Sequence, residues 1–203
     1  MITLLNYGLG NIDAFFNIYK RLNMPIVVAT TAEQLVSAEK IILPGVGAFD
    51  WAMDRLDNSG MRSCLDELVM VKQIPVLGVC VGMQMMAKRS DEGQLPGLGW
   101  IDAEVKRFDE TGFRQQTHLP HMGWNDVTPE DEACLFKGMI APRFYFLHSY
   151  YFAAVNSDNI LGRTDYNGNF ASAVRSDNVF GTQFHPEKSH QWGIQLLRNF
   201  AEL

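Results

Sequence analysis

The first eighty residues alternate between short apolar runs and amphipathic segments. The apolar runs predict buried strands at residues 2–6, 26–29, 40–43 and 75–79. Between the first two runs, apolar side chains recur at helical spacing after Asn11, a residue type that caps helix N-termini. Further helices are predicted at 51–56 and 61–71, and Thr31 is expected to cap a short helix that reaches Leu35. The alternation of strands and helices indicates an α/β fold with a central, mostly parallel sheet flanked by helices.

The pattern changes after Gly97 to shorter strands separated by turns. Strands are predicted at residues 101–108, 116–121, 143–151, 170–174 and 179–184, with turn signals at 165–169 and 176–178. Residues 190–203 form an amphipathic segment that predicts a final helix. Because no repeat or low-complexity linker interrupts the chain, we expect a single domain over residues 1–203 with a strand-rich second half.

One cysteine lies where a predicted buried strand turns into a helix. Gly78 and Gly82 flank Cys80 at positions −2 and +2, which is the spacing of a nucleophile elbow with sulfur in place of oxygen. Such a turn is tight, so a Cβ atom at either glycine position is expected to collide with nearby backbone. The start of a helix also favours a thiolate. The alternative is a buried core cysteine without a chemical role.

A candidate base lies at the end of the last predicted strand. His185 is followed by Pro186, which stops the strand, and by Glu187. The carboxyl edge of an open α/β sheet is where active sites lie, so these side chains are expected near Cys80. His185 can accept the thiol proton while Glu187 orients the imidazole. Without the cysteine, a structural or surface histidine would be the better interpretation.

Two glycine-rich turns follow predicted strands. In the turn at Gly45, Val46 and Gly47, consecutive backbone N–H groups can bind an anion, and beside a nucleophile they would form an oxyanion hole. A plain strand-to-helix turn is the alternative. The earlier turn at 8–11 suggests dinucleotide binding only weakly, because Asp13 stands where that motif requires its third glycine.

Composition narrows the class of protein. The chain has 203 residues, 47% of them hydrophobic, and a formal net charge of −6, which argues against a nucleic-acid partner. No apolar run is long enough for a bilayer, and the first residues already read as a strand, so we expect no membrane segment and no signal peptide. Three unpaired cysteines fit a reducing cytoplasm, and five histidines without ligand spacing predict no metal and no cofactor.

Several sequence blocks together resemble the class I, triad-type glutamine amidotransferase family. The blocks, in chain order, are residues 7–11, 43–49, 78–84, 120–125, 145–150, 183–189 and 197–200. The resemblance covers nearly the whole chain and is specific because the blocks occur in the family's order. It implies hydrolysis of glutamine to glutamate and ammonia, with a separate synthase subunit that consumes the ammonia.

The resemblance also implies roles for individual residues. It implies a catalytic triad of Cys80, His185 and Glu187, and an oxyanion donor at Val46 in a turn that can rearrange. The residues implied to hold glutamine are Gln84, Glu92, Ser149 and Tyr150. The residues implied at the partner interface and ammonia exit are Asn11, Pro120, Trp124 and Tyr145.

The partner is the point on which the resemblance leaves alternatives open. The match is greatest to the branch whose partner is a (β/α)8-barrel cyclase of histidine biosynthesis. Residues 99–105 and 189–192 resemble instead a branch that feeds a sugar amidotransferase in surface-polysaccharide synthesis. A free-standing γ-glutamyl hydrolase and a catalytically silent regulatory subunit are further alternatives, the last disfavoured by the intact Cys80, His185 and Glu187.

Overall fold

The computed structural model describes residues 1–113, 117–131, 134–154 and 156–203. The α-helices are α1 (Ile12–Arg21), α2 (Ala32–Leu35), α3 (Phe49–Asn58), α4 (Arg62–Asp66), α5 (Val81–Met85) and α6 (His190–Glu202). The strands are β1 (Ile2–Leu5), β2 (Ile26–Ala29), β3 (Lys40–Gly45), β4 (Val76–Cys80), β5 (Arg89–Ser90), β6 (Ala103–Arg107), β7 (His121–Asp126), β8 (Thr128–Pro129), β9 (Arg143–His148), β10 (Tyr150–Ala154), β11 (Ile160–Asp165), β12 (Asn169–Ser176) and β13 (Val179–Thr182).

Five parallel strands form one side of the main sheet, in the order β2-β1-β3-β4-β13. Every residue of β4 is buried, which explains why this strand is a continuous apolar run rather than an alternating one. The last strand of the chain therefore lies beside β4, with Gly181 paired to Gly78. This register brings the residues after β13 to the same sheet edge as Cys80.

An antiparallel extension continues the sheet beyond β13. Strands β12, β10 and β6 follow in antiparallel order, and the short β5 ends that edge. Strand β11 pairs with β12 across the turn at 166–168, and a separate two-stranded ribbon is formed by β7 and β9. The predicted mostly parallel sheet with a strand-rich second half is thus confirmed.

The first and last helices pack against one another. The buried face of α1 consists of Phe15, Ile18 and Tyr19. The Tyr19 hydroxyl donates to the Leu197 carbonyl of α6 at 2.9 Å. Asn11 caps α1 through a hydrogen bond from the Ala14 amide at 3.3 Å, as expected. None of the helices in the described ranges has the length and apolar character that crossing a bilayer requires.

Several predicted boundaries are wrong. Residues 117–120 are not a strand, and β7 begins only at His121, while Gln116 lies outside the described residues. The strand predicted at 143–151 is divided at Ser149, because β9 belongs to the ribbon and β10 to the main sheet. The helix predicted at 61–71 is α4 followed by a π-helical turn at Glu67–Val71. Strand β11 was not predicted, and Thr31 precedes α2 without a side-chain cap.

Candidate active site

Cys80 occupies a strained backbone conformation at the end of β4. Its φ is 55° and its ψ is −113°, a region that L-residues with a side chain rarely adopt. The chain enters α5 at the next residue, so the cysteine stands at the turn itself. Strain of this kind persists only where the surrounding structure imposes it, and it is concentrated at functional sites.

The atoms around the turn at Cys80 leave no space for a Cβ atom at the neighbouring glycines. A Cβ on Gly82 would lie 2.0 Å from the Leu43 carbonyl oxygen, and one on Gly78 would lie 2.6 Å from the Met86 methyl group. A Cβ on Gly45 of β3 would lie 2.2 Å from the Gly82 nitrogen. The predicted need for small residues on both sides of Cys80 is confirmed, and β3 is pressed directly against the start of α5.

His185 lies three residues after the end of β13, where its side chain faces Glu187 and the pocket that contains Cys80. Its Nδ1 lies 2.9 Å from Glu187 Oε1, and its side chain lines the same pocket as that of Cys80. Since a carboxylate only accepts, Nδ1 donates to Glu187 and Nε2 remains for the sulfur. The His185 backbone is fixed by its amide, which donates to the Tyr145 carbonyl at 2.9 Å. The structure therefore brings together the three side chains that the sequence indicated.

The environment of His185 favours its protonated form. Burial on its own lowers the His185 pKa, but the hydrogen bonds to Cys80 and Glu187 and the negative charges of both partners raise it to about 10. The imidazolium is therefore retained beside the sulfur at neutral pH. A protonated imidazole next to a cysteine is the arrangement that supplies a thiolate nucleophile together with a proton donor.

The glycine-rich turn after β3 forms one wall of the pocket at Cys80. Val46 and Gly47 line this pocket, whereas Gly45 is the last residue of β3 and pairs with Cys80 in the sheet. Gly47 has a φ of +86°, which turns the chain in a conformation that glycine adopts without strain. The buried Tyr7 hydroxyl donates to the Pro44 carbonyl at 2.7 Å and anchors the start of the turn.

The pocket has a volume of about 170 Å³ and includes all four residues predicted to hold a substrate. Those residues are Gln84, Glu92, Ser149 and Tyr150. A larger, open depression of about 840 Å³ lies elsewhere on the molecule, bordered by Glu130 and Arg163, but none of the side chains singled out above lines it. The smaller pocket is the candidate active site because it contains the cysteine and the histidine.

The side chains of Gln84 and Glu92 are held in place by hydrogen bonds to other groups of the protein. Gln84 Nε2 donates to the Tyr150 carbonyl at 3.2 Å and to Gln183 Oε1 at 3.1 Å, so its own Oε1 is the acceptor that remains. Glu92 Oε2 accepts from the Phe49 amide at 2.9 Å. Burial raises the pKa of the Glu92 carboxyl, and the Phe49 hydrogen bond opposes this rise.

Sequence reasoning missed other residues that border the site. Gln183 is fully buried, and its Nε2 lies 3.9 Å from Cys80 Sγ. Lys188 and Leu147 line the pocket. Gln183 could have been found from its position two residues before His185, because alternate residues of an extended segment share a face.

The ribbon of β7 and β9 presents apolar side chains to solvent beside the pocket. Met122 is 65% exposed and is paired with Leu147, which is 38% exposed and lines the pocket. Trp124 is 42% exposed, pairs with Tyr145, and stacks on His190 at 5.4 Å between ring centroids. Two of the predicted interface residues, Trp124 and Tyr145, are therefore neighbours on this ribbon.

The other two predicted interface residues lie in loops. Pro120 is exposed and immediately precedes β7, and Asn11 is exposed at the start of α1. The loop before Asn11 packs on the end of β3, just before the turn at Val46 and Gly47, since a Cβ on Gly10 would lie 2.5 Å from the Pro44 Cβ. Within the described ranges, no group of three or more His, Cys, Asp or Glu side chains is arranged to hold a metal ion.

Comparison with known proteins identifies the family. Residues 8–203 match the profile described as "Glutamine amidotransferase class-I". The chain belongs to the class I glutamine amidotransferase family. Within this family, the chain is 55% identical to "Imidazole glycerol phosphate synthase subunit HisH" of Bdellovibrio bacteriovorus and 52% identical to the protein of that name of Leptospira interrogans, in both cases over 100% of each chain. The predicted family membership is confirmed.

A solved structure shows the same fold for this class I glutamine amidotransferase. It is described as "Crystal structure of glutamine amidotransferase", has a TM-score of 0.77 and is 22% identical, with 99% of this chain and 97% of that chain covered. At that identity the comparison establishes the fold alone. The predicted fold class is thereby confirmed.

Proposed function

We propose that this chain is the glutaminase subunit of imidazole glycerol phosphate synthase in histidine biosynthesis. It would hydrolyse glutamine to glutamate and ammonia and pass the ammonia to a (β/α)8-barrel cyclase subunit. The observation that carries the chemistry is the buried contact of Cys80, His185 and Glu187 at the wall of a 170 Å³ pocket. The relatives named above support the pathway, because they match this chain over its full length.

The pocket walls offer complementary groups for each end of glutamine. The Glu92 carboxylate suits the substrate ammonium, and Gln84 Oε1 can accept a hydrogen bond from the same end. The segment at Ser149 and Tyr150 supplies backbone polar groups. The side-chain amide of glutamine then extends toward Cys80, with its carbonyl oxygen beside the turn of Val46 and Gly47.

Hydrolysis proceeds in two proton-balanced stages. Cys80 Sγ attacks the amide carbon as a C–S bond forms, and the carbonyl electrons move to an oxyanion held by the turn's N–H groups. The C–N bond then breaks as the His185 Nε2 proton passes to nitrogen, which leaves as ammonia. Water next attacks the thioester while His185 takes its proton. Cleavage of the C–S bond releases glutamate and restores the Cys80 thiolate.

Neutral ammonia is the nucleophile that the synthase reaction needs, and water at neutral pH would convert it to ammonium. An ammonia-consuming subunit must therefore cover the exit. The exposed Met122, Trp124 and Leu147 beside the pocket form an apolar surface suited to this contact. Docking at this ribbon would also affect the backbone that holds His185, because the His185 amide is bonded to Tyr145.

Glutaminase turnover of the purified chain, alone and with the cyclase, tests the proposal. We expect low activity alone, at least a tenfold stimulation by the cyclase, and loss of glutamate production in Cys80→Ala. Cys64→Ser is the matched control, since Cys64 lies outside the pocket. The Cys80→Ala complex should still form product from added ammonium at alkaline pH.

Two outcomes would contradict the proposal in different ways. Full activity without any partner would indicate a free-standing hydrolase. Stimulation by a sugar amidotransferase but not by the cyclase would keep the chemistry and change the pathway.

A further inference from the structure

A continuous series of hydrogen bonds links the exposed ribbon to the pocket through two histidines. Asn125 Nδ2 lies 3.2 Å from His121 Nε2, and His121 Nδ1 lies 2.9 Å from His148 Nε2. His148 Nδ1 lies 2.8 Å from the Tyr150 carbonyl oxygen. Both imidazoles are buried, and neither belongs to the Cys80, His185 and Glu187 cluster.

The Tyr150 carbonyl oxygen at one end of the series determines which ring nitrogen of each histidine carries a proton. A carbonyl oxygen can only accept, so His148 Nδ1 must carry a proton. If His148 is neutral, its Nε2 is an acceptor and His121 Nδ1 must donate to it. His121 Nε2 is then unprotonated and accepts from Asn125 Nδ2, whose second hydrogen binds the Asp165 carbonyl at 2.9 Å. Both histidines are therefore Nδ1–H tautomers.

The surroundings of the pair hold it neutral. Burial lowers the pKa of His121 to about 4, and burial together with the charges of His121 and His185 lowers that of His148 to about 3. Rings enclose His121 on both faces: Phe146 stacks at 4.6 Å and Tyr166 at 3.9 Å between centroids. Within the described ranges, the titratable side chains that face the pair are the two histidines themselves and Tyr166, and His185 acts on His148 by its charge.

The series ends on a group that also positions a substrate-binding side chain. The Tyr150 carbonyl accepts from His148 Nδ1 and from Gln84 Nε2. His148, Tyr150 and Gln84 all line the pocket, whereas His121 does not. A displaced Tyr150 carbonyl would release Gln84 and change the end of the pocket that receives the amino-acid group of glutamine.

We propose that His121 is a positioning residue for glutamine binding: it donates from Nδ1 to His148 and thereby holds the Tyr150 carbonyl and Gln84 in place. The choice of glutamine as ligand rests on the proposed function. This role differs from packing, because it requires an N–H donor at the position of His121 Nδ1 and does not require an aromatic ring. Asparagine places an amide nitrogen near the Nδ1 position of histidine, whereas phenylalanine keeps the ring and lacks the donor.

Two substitutions at residue 121 separate the two roles. In the complete complex we expect His121→Phe to raise the KM for glutamine about tenfold, with kcat changed less than threefold, because His148 Nε2 loses its donor. His121→Asn should keep KM within about twofold of the wild-type value. Thermal denaturation of both variants checks that each is folded. A KM that rises in the Asn variant and not in the Phe variant would assign packing alone and overturn the proposal.

Nitrogen NMR of the histidine-labelled wild-type chain gives a test that needs no catalysis. For both residues we expect a protonated Nδ1 and an unprotonated Nε2 between pH 6 and 8. A proton on Nε2 of either ring, or an imidazolium in this range, would overturn the proposal. If the wild-type complex shows the expected tautomers but no glutaminase turnover, the proposed function fails while the hydrogen-bond assignment stands.

Discussion

Near Cys80, the backbone of α5 at Gly82 lies very close to the backbone of β3 at Leu43. The substitution Gly82→Ala therefore tests directly whether this close contact is needed for the turn at Cys80. The added methyl group would lie 2.0 Å from the Leu43 carbonyl oxygen, whereas ordinary contacts begin at 3.4 Å. The Leu43 oxygen belongs to the backbone of β3 and cannot rotate away, so β3 and α5 must separate by about 1 Å. Overpacking of this kind costs about 1–3 kcal/mol, and the better helix propensity of alanine recovers at most about 1 kcal/mol.

The separation has two measurable consequences. The net loss of stability is up to about 2–3 kcal/mol, and for a chain of this size each 1 kcal/mol lowers the Tm by roughly 2–4 °C. The turn at Val46 and Gly47, the proposed oxyanion site, begins three residues after Leu43. A misplacement of about 1 Å at a reacting centre can lower kcat about a hundredfold. The measurements are thermal denaturation by circular dichroism and steady-state glutaminase kinetics in the complex.

Gly112→Ala is the matched control for this experiment. Among the residues that the structure describes, no atom lies within 4 Å of a Cβ built there, and the backbone of Gly112 is not in the left-handed region. We expect its Tm and kcat to remain at the wild-type values. A Gly82→Ala variant that matches this control in both measurements would refute the packing argument for the elbow.

Two further predictions concern the groups around Cys80. Glu187→Gln should lower the His185 pKa, measured by NMR titration, because the neutral amide removes a negative charge that raises this pKa. A raised His185 pKa stabilises the fold below pH 6.5, and this contribution is lost toward pH 10, so the stability difference between the variant and the wild type should shrink from pH 6.5 to pH 10. An unchanged His185 pKa would contradict the assignment. Tyr7→Phe removes the hydrogen bond to the Pro44 carbonyl and should lower kcat severalfold, at a cost of about 1 kcal/mol in stability. Tyr19→Phe is the control: it loses an equally buried hydrogen bond far from the pocket and should lower stability without lowering kcat. Equal losses of kcat in the two variants would contradict a specific role for Tyr7.

The sequence was sufficient for the parts of the fold that depend on local pattern. Continuous apolar runs identify the central parallel strands, since both faces of those strands are buried. The glycine spacing around Cys80 predicts the elbow, because only that spacing relieves the backbone contacts at Gly78 and Gly82. The Asn11 cap follows in the same way from one side chain and one amide.

Features set by distant contacts were not predictable. Nothing local in residues 143–151 marks Ser149 as the point where the chain leaves the ribbon for the main sheet, because the change depends on the two partner strands. Likewise the contacts of Gln183 with Cys80 and Gln84 arise from the pairing of β13 with β4. The roles implied for the triad, for the turn at residues 45–47, for the four substrate-binding residues and for the interface residues stay predictions.

The pairing of β4 with β13 determines the stage of synthesis and folding at which the candidate active site is complete. The strands are neighbours in space but about 100 residues apart in sequence, so their contact forms only after a long loop closes. A nascent chain that ends at β12 already contains Cys80 but has neither His185 nor Glu187. Under the proposed mechanism, the growing polypeptide therefore cannot hydrolyse glutamine on the ribosome, and release of ammonia begins only when the last strand is in place.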